Sequence, residues 1–441
     1  MCVAVLLLLT ASYGNTPPNV VFIMADDMGY GDLSSYGATD AQTPHIDQLA
    51  REGVRFTQFY SNGTECSPTR TALLSGQYQQ RIGGLECAIG VGNVGRYDDA
   101  IRLADAHQLG LPVSDNVFVQ GFKDQGYETV MLGKWHLGYE TYFSPLTHGF
   151  DHWFGIIGGN SDYFHYVEMD GFYALQEDDQ DTKASGHVTD LIADRAVSYL
   201  KHRQTSQPFL LYLPFTAPHT PIQGPDDYTP EPIASEVWNK GTREGYVSMV
   251  EQLDQAVGKV LNMLQESGLA ENTLVIFKSD NGGTSLSRND PFSGGKGTTW
   301  EGGIRVPCIV RWPDRIAANT VSDQTAISMD LTRSLRRIIG ANESPLPPDG
   351  IDIIAHVEQQ NANSDRTLFW RGKRGDRVWR AVREGDMKYM SLTQTGEFME
   401  NVFDLATDPA EKNNLAAALP ELTVHLKDLL TDWEQEVASR R

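Results

Sequence analysis

The chain is poor in cysteine, poor in positive charge relative to negative, and has no long apolar run. Four cysteines in 441 residues are too few for a disulfide-stapled scaffold. Lys and Arg number 36 against 58 Asp and Glu, a formal net charge of -22. A field of that sign repels nucleic acid and anionic membrane surfaces and argues against both as partners, while screening beyond roughly 8 to 10 Å leaves a local cluster of Lys, Arg and metal able to hold an anionic group. The apolar run at residues 3–9 is far shorter than the ~20 residues of a membrane span, so stable membrane insertion is excluded as well. Internal repeats and low-complexity tracts are absent.

What is present is an ordinary globular composition, 40% hydrophobic and 21% charged, on a chain long enough for two or three domains. The run at 3–9 precedes the small residues Ala11, Ser12 and Gly14 and reads as the apolar core of a signal peptide over residues 1–15, although no Lys or Arg comes before it. Export, to a periplasm or out of the cell, is the expectation. Cys2 leaves with that segment. Cys87 and Cys308 then stand in a compartment that permits a disulfide, as a bridged pair or as two buried thiols; both readings are open.

Along the chain, apolar runs repeatedly end in polar residues. Residues 19–24 (NVVFIM) run into Asp26 and Asp27, 209–215 (FLLYLPF) lead to His219, 273–277 (TLVIF) to Asp280 and Asn281, and 128–132 (ETVML) to Lys134 and His136. Runs without polar alternation suit strands buried on both faces of a mostly parallel sheet. Helices are expected at about 44–51, stopped by Gly53, and at about 243–267, where Tyr246, Val250, Leu253, Val257, Leu261 and Leu264 recur at helical spacing before Gly268. This predicts an α/β fold: a large sheet flanked by helices, with ligands outside the carboxyl ends of the strands. The Pro-rich stretch 342–349 separates an N-terminal domain, residues 17–345, from a small C-terminal α+β domain, 346–441. The latter has short strands near 367–370, 378–383 and 388–392 and a closing helix at 420–437.

Asp26, Asp27, Asp280 and the amide oxygen of Asn281 form an all-oxygen set suited to a hard cation. Singly, DD and DNGG are more often solvated turns; their shared position at strand ends raises them to candidates. Cys66 opens CSPTR, with Ser67 and Pro68 suited to a helix start, so it is expected just before a helix N-terminus, where backbone N–H groups favour an anion. It is a candidate low-pKa nucleophile or an inert core thiol.

The segment 66–70 matches the CxPxR signature of the formylglycine-dependent sulfatases, which share the alkaline phosphatase-like fold. Its surroundings resemble that family too: NVVFIMADDMGYGDL, TRTALLSGQY, GKWHLG at 133–138, APH at 217–219, SDNGG at 279–283, and GGKGTTWEGGIRVP around Lys296. The resemblance spans nearly the whole chain in order. It implies that Cys66 is oxidised to formylglycine by a separate formylglycine-generating enzyme, and that the aldehyde hydrate is the nucleophile. It implies Ca²⁺, or Mg²⁺, held by Asp26, Asp27, Asp280, Asn281 and residue 66. Arg70, Lys134, His136, His219 and Lys296 would line the sulfate pocket. His219, or alternatively Lys296, would protonate the leaving oxygen, and His136 would act as a base.

Two other readings compete: a phosphate or phosphonate ester hydrolase of the same fold, and a non-catalytic binder of sulfated glycans. For the sulfatase, the expected substrate is a sulfated carbohydrate or an aryl sulfate. Arg96, His107, His152, Trp153, Tyr163 and His165 are candidates for a sugar-binding rim, since aromatic and polar loop residues suit sugars, although such residues equally serve packing.

Overall fold

The computed structural model describes residues 16–90, 97–114, 117–341 and 349–438. The expected signal segment, Arg96 and most of the Pro-rich stretch around the expected domain boundary lie outside the described residues.

A ten-stranded sheet runs in the order Thr320–Ser322, Val54–Phe56, Cys308–Arg311, Thr273–Ser279, Asn19–Ala25, Phe209–Pro214, Glu128–Leu132, His152–Ile156, Leu175–Glu177 and Gln180–Asp181. The five strands from Thr273–Ser279 to His152–Ile156 are parallel. Cys308–Arg311 and Leu175–Glu177 flank them antiparallel. Three of the parallel strands, Asn19–Ala25, Phe209–Pro214 and Thr273–Ser279, are buried at every position, as their central apolar runs require, and the third buries Lys278 and Ser279 at its end as well.

The helices form two packed sets. Pro44–Glu52, Val188–His202 and Arg243–Glu266 pack together, and Cys66–Ser75, Phe118–Asp124, Ser328–Ile338 and Ile353–Glu358 make the second set. The Arg243–Glu266 helix is capped by Thr242, whose side chain accepts from Gly245 N–H, and it buries its Tyr246, Val250, Leu253 and Val257 stripe.

The C-terminal sheet is an antiparallel meander of Thr367–Arg374, Arg377–Glu384, Met387–Gln394 and Glu397–Asp404, covered by the helix Pro420–Ala438. Its fourth strand was not expected, because Glu397, Glu400 and Asn401 interrupt the apolar pattern of a partly exposed edge. Its core is shared: Leu368, Trp370, Val382 and Trp433 pack in one cluster with Tyr60, Tyr78, Ile304 and Met329 of the larger part. A buried charge network crosses the same seam. Nζ of Lys388 lies 2.9 Å from Glu301 Oε1 and 2.7 Å from Glu411 Oε1, and Tyr60 donates to Glu301 at 2.6 Å.

Candidate active site

Parallel pairing places the polar residues of several strand ends side by side. Ala25 lies opposite Ser279 and Met24 opposite Pro214, so Asp26 and Asp27 emerge next to Asp280 and Asn281, with the His219 loop on the other flank. Lys134 and His136 follow the neighbouring strand Glu128–Leu132. Asp27 and His136 have φ of 63° and 62°, a conformation that costs free energy in non-glycine residues and that gathers at functional sites.

Cys66 is the first residue of the helix Cys66–Ser75, with Glu65 at the N-cap, so the helix starts two residues earlier than Ser67 as cap and Pro68 as first helical residue would place it, and Cys66 lies in its first turn and not just before it. Its Sγ is 3.3 Å from Asp26 Oδ1 and 3.9 Å from Asp27 Oδ1. Burial, Asp26 and Asp280 push the thiol well above its ordinary range, so it is no low-pKa thiolate.

The acids are held in a cage of cations. Lys134 Nζ is 2.5 Å from Asp26 Oδ2. Arg70 donates to Asp280 Oδ2 from Nε at 3.2 Å and from a terminal nitrogen at 2.9 Å, and also to the carbonyl of Lys134 at 2.9 Å. Burial and the Asp280 charge still raise the Asp26 carboxyl to about 7. Burial acts upward on Asp27 as well, but the charge and hydrogen bond of Lys296 outweigh it and hold Asp27 below the ordinary carboxylate range. Asn281 donates through Nδ2 to Asp27 Oδ1 at 2.8 Å, while its own Oδ1 is buried without a partner.

Lys296 Nζ is 2.7 Å from Asp27, 3.5 Å from Cys66 Sγ and 3.0 Å from His219 Nε2. Nδ1 of His219 is 2.7 Å from the carbonyl of Thr220, which only an N–H can satisfy, so Nε2 carries a lone pair that receives the Lys296 ammonium. Burial and Lys296 lower His219 to about 3. His136 is arranged the other way round. Its Nε2 is 2.5 Å from the Ile89 carbonyl, which leaves Nδ1 as a bare acceptor, buried and unpartnered.

A sulfatase family profile matches residues 18–341, and a second profile, N-sulphoglucosamine sulphohydrolase, C-terminal, matches residues 295–436. The N-acetylgalactosamine-6-sulfatase of Canis lupus familiaris is 34% identical over 411 residues, covering 89% of this chain and 75% of the relative. The chain belongs to the sulfatase family. Among solved structures, Ps i-CgsB in complex with k-i-k-neocarrahexaose superposes with a TM-score of 0.82 at 28% identity, covering 95% of this sulfatase and 93% of that chain. The phosphonate monoester hydrolase of Agrobacterium radiobacter superposes with a TM-score of 0.66 at 18% identity over 96% and 95% of the two chains, a likeness of fold alone. The sulfatase is thus a sulfuric ester hydrolase with the alkaline phosphatase-like fold that the resemblance implied.

Asp27, Cys66, His136, His219 and Lys296 line one cavity of about 870 Å³. Arg70, Lys134, Asp26, Asp280 and Asn281 sit behind them, fully buried or nearly so. None of the described rim candidates lines this cavity. Trp153 is fully buried, and its indole donates to Asp179. His152 pairs with Asp178 at 2.9 Å and lines a separate cleft near the start of its strand. His107 points to solvent and pairs with Glu140 at 2.7 Å. His165 stacks on the exposed Tyr228. Tyr163 is buried under the site and donates to the carbonyls of Thr216 and His219, both at 2.8 Å. The cavity wall is built instead from Tyr139, Glu168, Trp238, Lys240 and Arg374, which no periodicity or motif singled out. None of Cys66, Cys87 and Cys308 is disulfide-bonded, and all three are buried. Among the described residues no helix is long and apolar enough to cross a membrane.

Proposed function

We propose that this sulfatase removes sulfate from a sulfated carbohydrate, using residue 66 oxidised to formylglycine and a Ca²⁺ ion, with Mg²⁺ as the alternative. The observation that carries the reading is the position of Cys66. It lies where the cavity meets the buried acids, within 3.3 Å of Asp26 and 3.5 Å of Lys296. Its own thiol is held protonated there by burial and by Asp26 and Asp280, so an unmodified cysteine would be a poor nucleophile. The oxidised residue supplies a hydrate oxygen as the nucleophile.

Asp26, Asp27, Asp280 and Asn281 suit the ion. Three buried carboxylates converge, and the unpartnered Oδ1 of Asn281 offers the amide oxygen that a hard cation prefers. Asp26, Asp27, Cys66 and His219 each place a potential ligand atom within 4.8 Å of one another, which adds His219 as a neighbour of the ion. When bound, the metal supplies Lewis-acid charge that polarises a sulfate oxygen and favours ionisation of the nucleophile.

The remaining work falls to the chain's own side chains. Arg70 and Lys134, fixed by Asp280 and Asp26, present positive charge to the sulfate group in a water-poor site. Lys296 keeps its proton because the carboxylates Asp27 and Asp26 outweigh its burial, and it shares that proton with His219 Nε2. The pair therefore holds a proton for the departing ester oxygen, with Lys296 as its main carrier. His136, neutral and with a bare Nδ1, is poised to accept a proton when sulfate is released.

The carbohydrate reading rests on the relatives: one is named for a sulfated amino sugar and another was crystallised with a neocarrahexaose. Maturation by a formylglycine-generating enzyme and export of the mature chain complete the reading, with a catalytic portion at 17–345 and a C-terminal one at 346–441. The test is sulfate release by purified protein from defined monosulfated oligosaccharides, with matched phosphate esters alongside. Sulfate release that exceeds phosphate release supports it; a preference for phosphate esters, or for neither, contradicts it.

A further inference from the structure

Glu168 is an unusual wall for a site that receives an anion. It lines the same cavity as Cys66 and Lys296, yet it is only 8% exposed, and among the described residues no Lys or Arg pairs with it. Its side-chain partner is the hydroxyl of Tyr139, at 2.9 Å and 3.2 Å from the two carboxylate oxygens, the backbone N–H of Gly159 also donates to it, and Tyr139 also lines the cavity. Two consecutive glycines seat it. A Cβ on Gly158 would collide with Oε1 of Glu168, and a Cβ on Gly159 would lie 2.6 Å from Nε2 of His136. Glu168 and His136 are thereby packed against adjacent residues of one loop, which puts the carboxylate beside the reacting centre. Asp170 lines the cavity next to it and adds charge of the same sign.

A carboxylate has about four acceptor sites, so one that receives a phenol and a single backbone N–H retains lone pairs for a ligand's O–H or N–H. It also disfavours a second anion at that spot, where low dielectric strengthens like-charge repulsion. Resting on the sulfated-carbohydrate reading above, we propose that Glu168 is a specificity-determining residue. It accepts a hydrogen bond from an unsubstituted hydroxyl or amide N–H of the sugar ring that bears the scissile sulfate, and it rejects rings that carry a second sulfate there.

The test compares kcat/KM for a monosulfated sugar and its vicinally disulfated counterpart at pH 8, above the value of about 7 to which burial raises the Glu168 carboxyl. Wild-type enzyme should favour the monosulfated sugar by at least about tenfold. Glu168→Gln keeps the shape and an acceptor oxygen but removes the charge, so the ratio should move toward the disulfated sugar by at least about tenfold. A wild-type preference for the disulfated sugar overturns the proposal, and this arm needs no variant to fold. An unchanged ratio in Glu168→Gln, or an equal loss on both sugars, also overturns it and leaves Glu168 as support for Tyr139 alone. Nitrophenyl sulfate turnover by the wild-type sample reads the sulfatase chemistry separately: its absence would count against the functional reading, not against the role of Glu168.

Discussion

Nζ of Lys296 lies 3.0 Å from Nε2 of His219, and both groups face Asp27. Because His219 gives its Nδ1–H to Thr220 and is lowered to about 3, the shared proton resides on Lys296. Lys296→Ala should therefore reduce turnover of a sugar sulfate by about 10²- to 10⁴-fold and reduce nitrophenyl sulfate turnover far less, since nitrophenolate leaves without a proton. His219→Ala should show the same leaving-group dependence. The double variant should lose no more than the worse single one, as expected of groups acting as one unit. Additive losses in steady-state kinetics would separate the two residues.

Asn281 gives a second prediction. With the Oδ1 atom unpartnered and the acids converging, removal of the amide should weaken Ca²⁺ binding. Asn281→Ala should bind Ca²⁺ at least about tenfold more weakly by calorimetry. Thorough chelation of wild-type enzyme should abolish sulfate release and added Ca²⁺ or Mg²⁺ should restore it. Full turnover in protein shown to be free of metal would rule out the metal role.

Tyr163 ties the His219 loop down from below through two carbonyls. Tyr163→Phe should cost about 0.5–1.5 kcal/mol of stability in denaturant unfolding, because the one phenol O–H shared by the Thr216 and His219 carbonyls is lost while Thr216 keeps the His219 N–H. Its kinetic loss should fall on the sugar sulfate more than on nitrophenyl sulfate, since the loop carries a proton-transfer residue. Equal losses on both would mean that the tyrosine is only packing.

The seam between the large sheet and the C-terminal meander has its own signature. Lys388→Met leaves Glu301 and Glu411 facing each other in a buried site and should destabilise the fold by about 3–5 kcal/mol. Burial raises the Glu411 carboxyl from 4.5 to about 7 despite Lys388. A group raised in the folded state contributes stability that is full below its ordinary value and lost as pH rises through the folded value. Melting temperature should therefore fall between about pH 4.5 and 7 in the wild type, and Glu411→Gln should flatten that fall. An unchanged slope in the variant would assign the pH dependence to other groups.

The parts of the site that the sequence made legible are those attached to strand ends. Asp26, Asp27, Asp280 and Asn281 follow apolar runs whose burial on both faces forces them into one parallel sheet, and parallel pairing then brings their ends together. The same logic located Lys134, His136 and His219. It failed for the cavity wall. Glu168, Trp238, Lys240 and Arg374 sit on loops and a hairpin end without periodicity, and only the tertiary fold brings them together. The described rim candidates lie away from the cavity for the opposite reason: Trp153 and Tyr163 are aromatic because they fill the core, and their polar atoms are satisfied internally.

The most direct measurement is mass spectrometry of the tryptic peptide spanning residues 56–70 from active enzyme. Residue 66 should carry an aldehyde in place of the thiol, in a fraction that scales with specific activity among preparations. Full activity in a sample whose peptide holds only unmodified Cys66 would contradict the account.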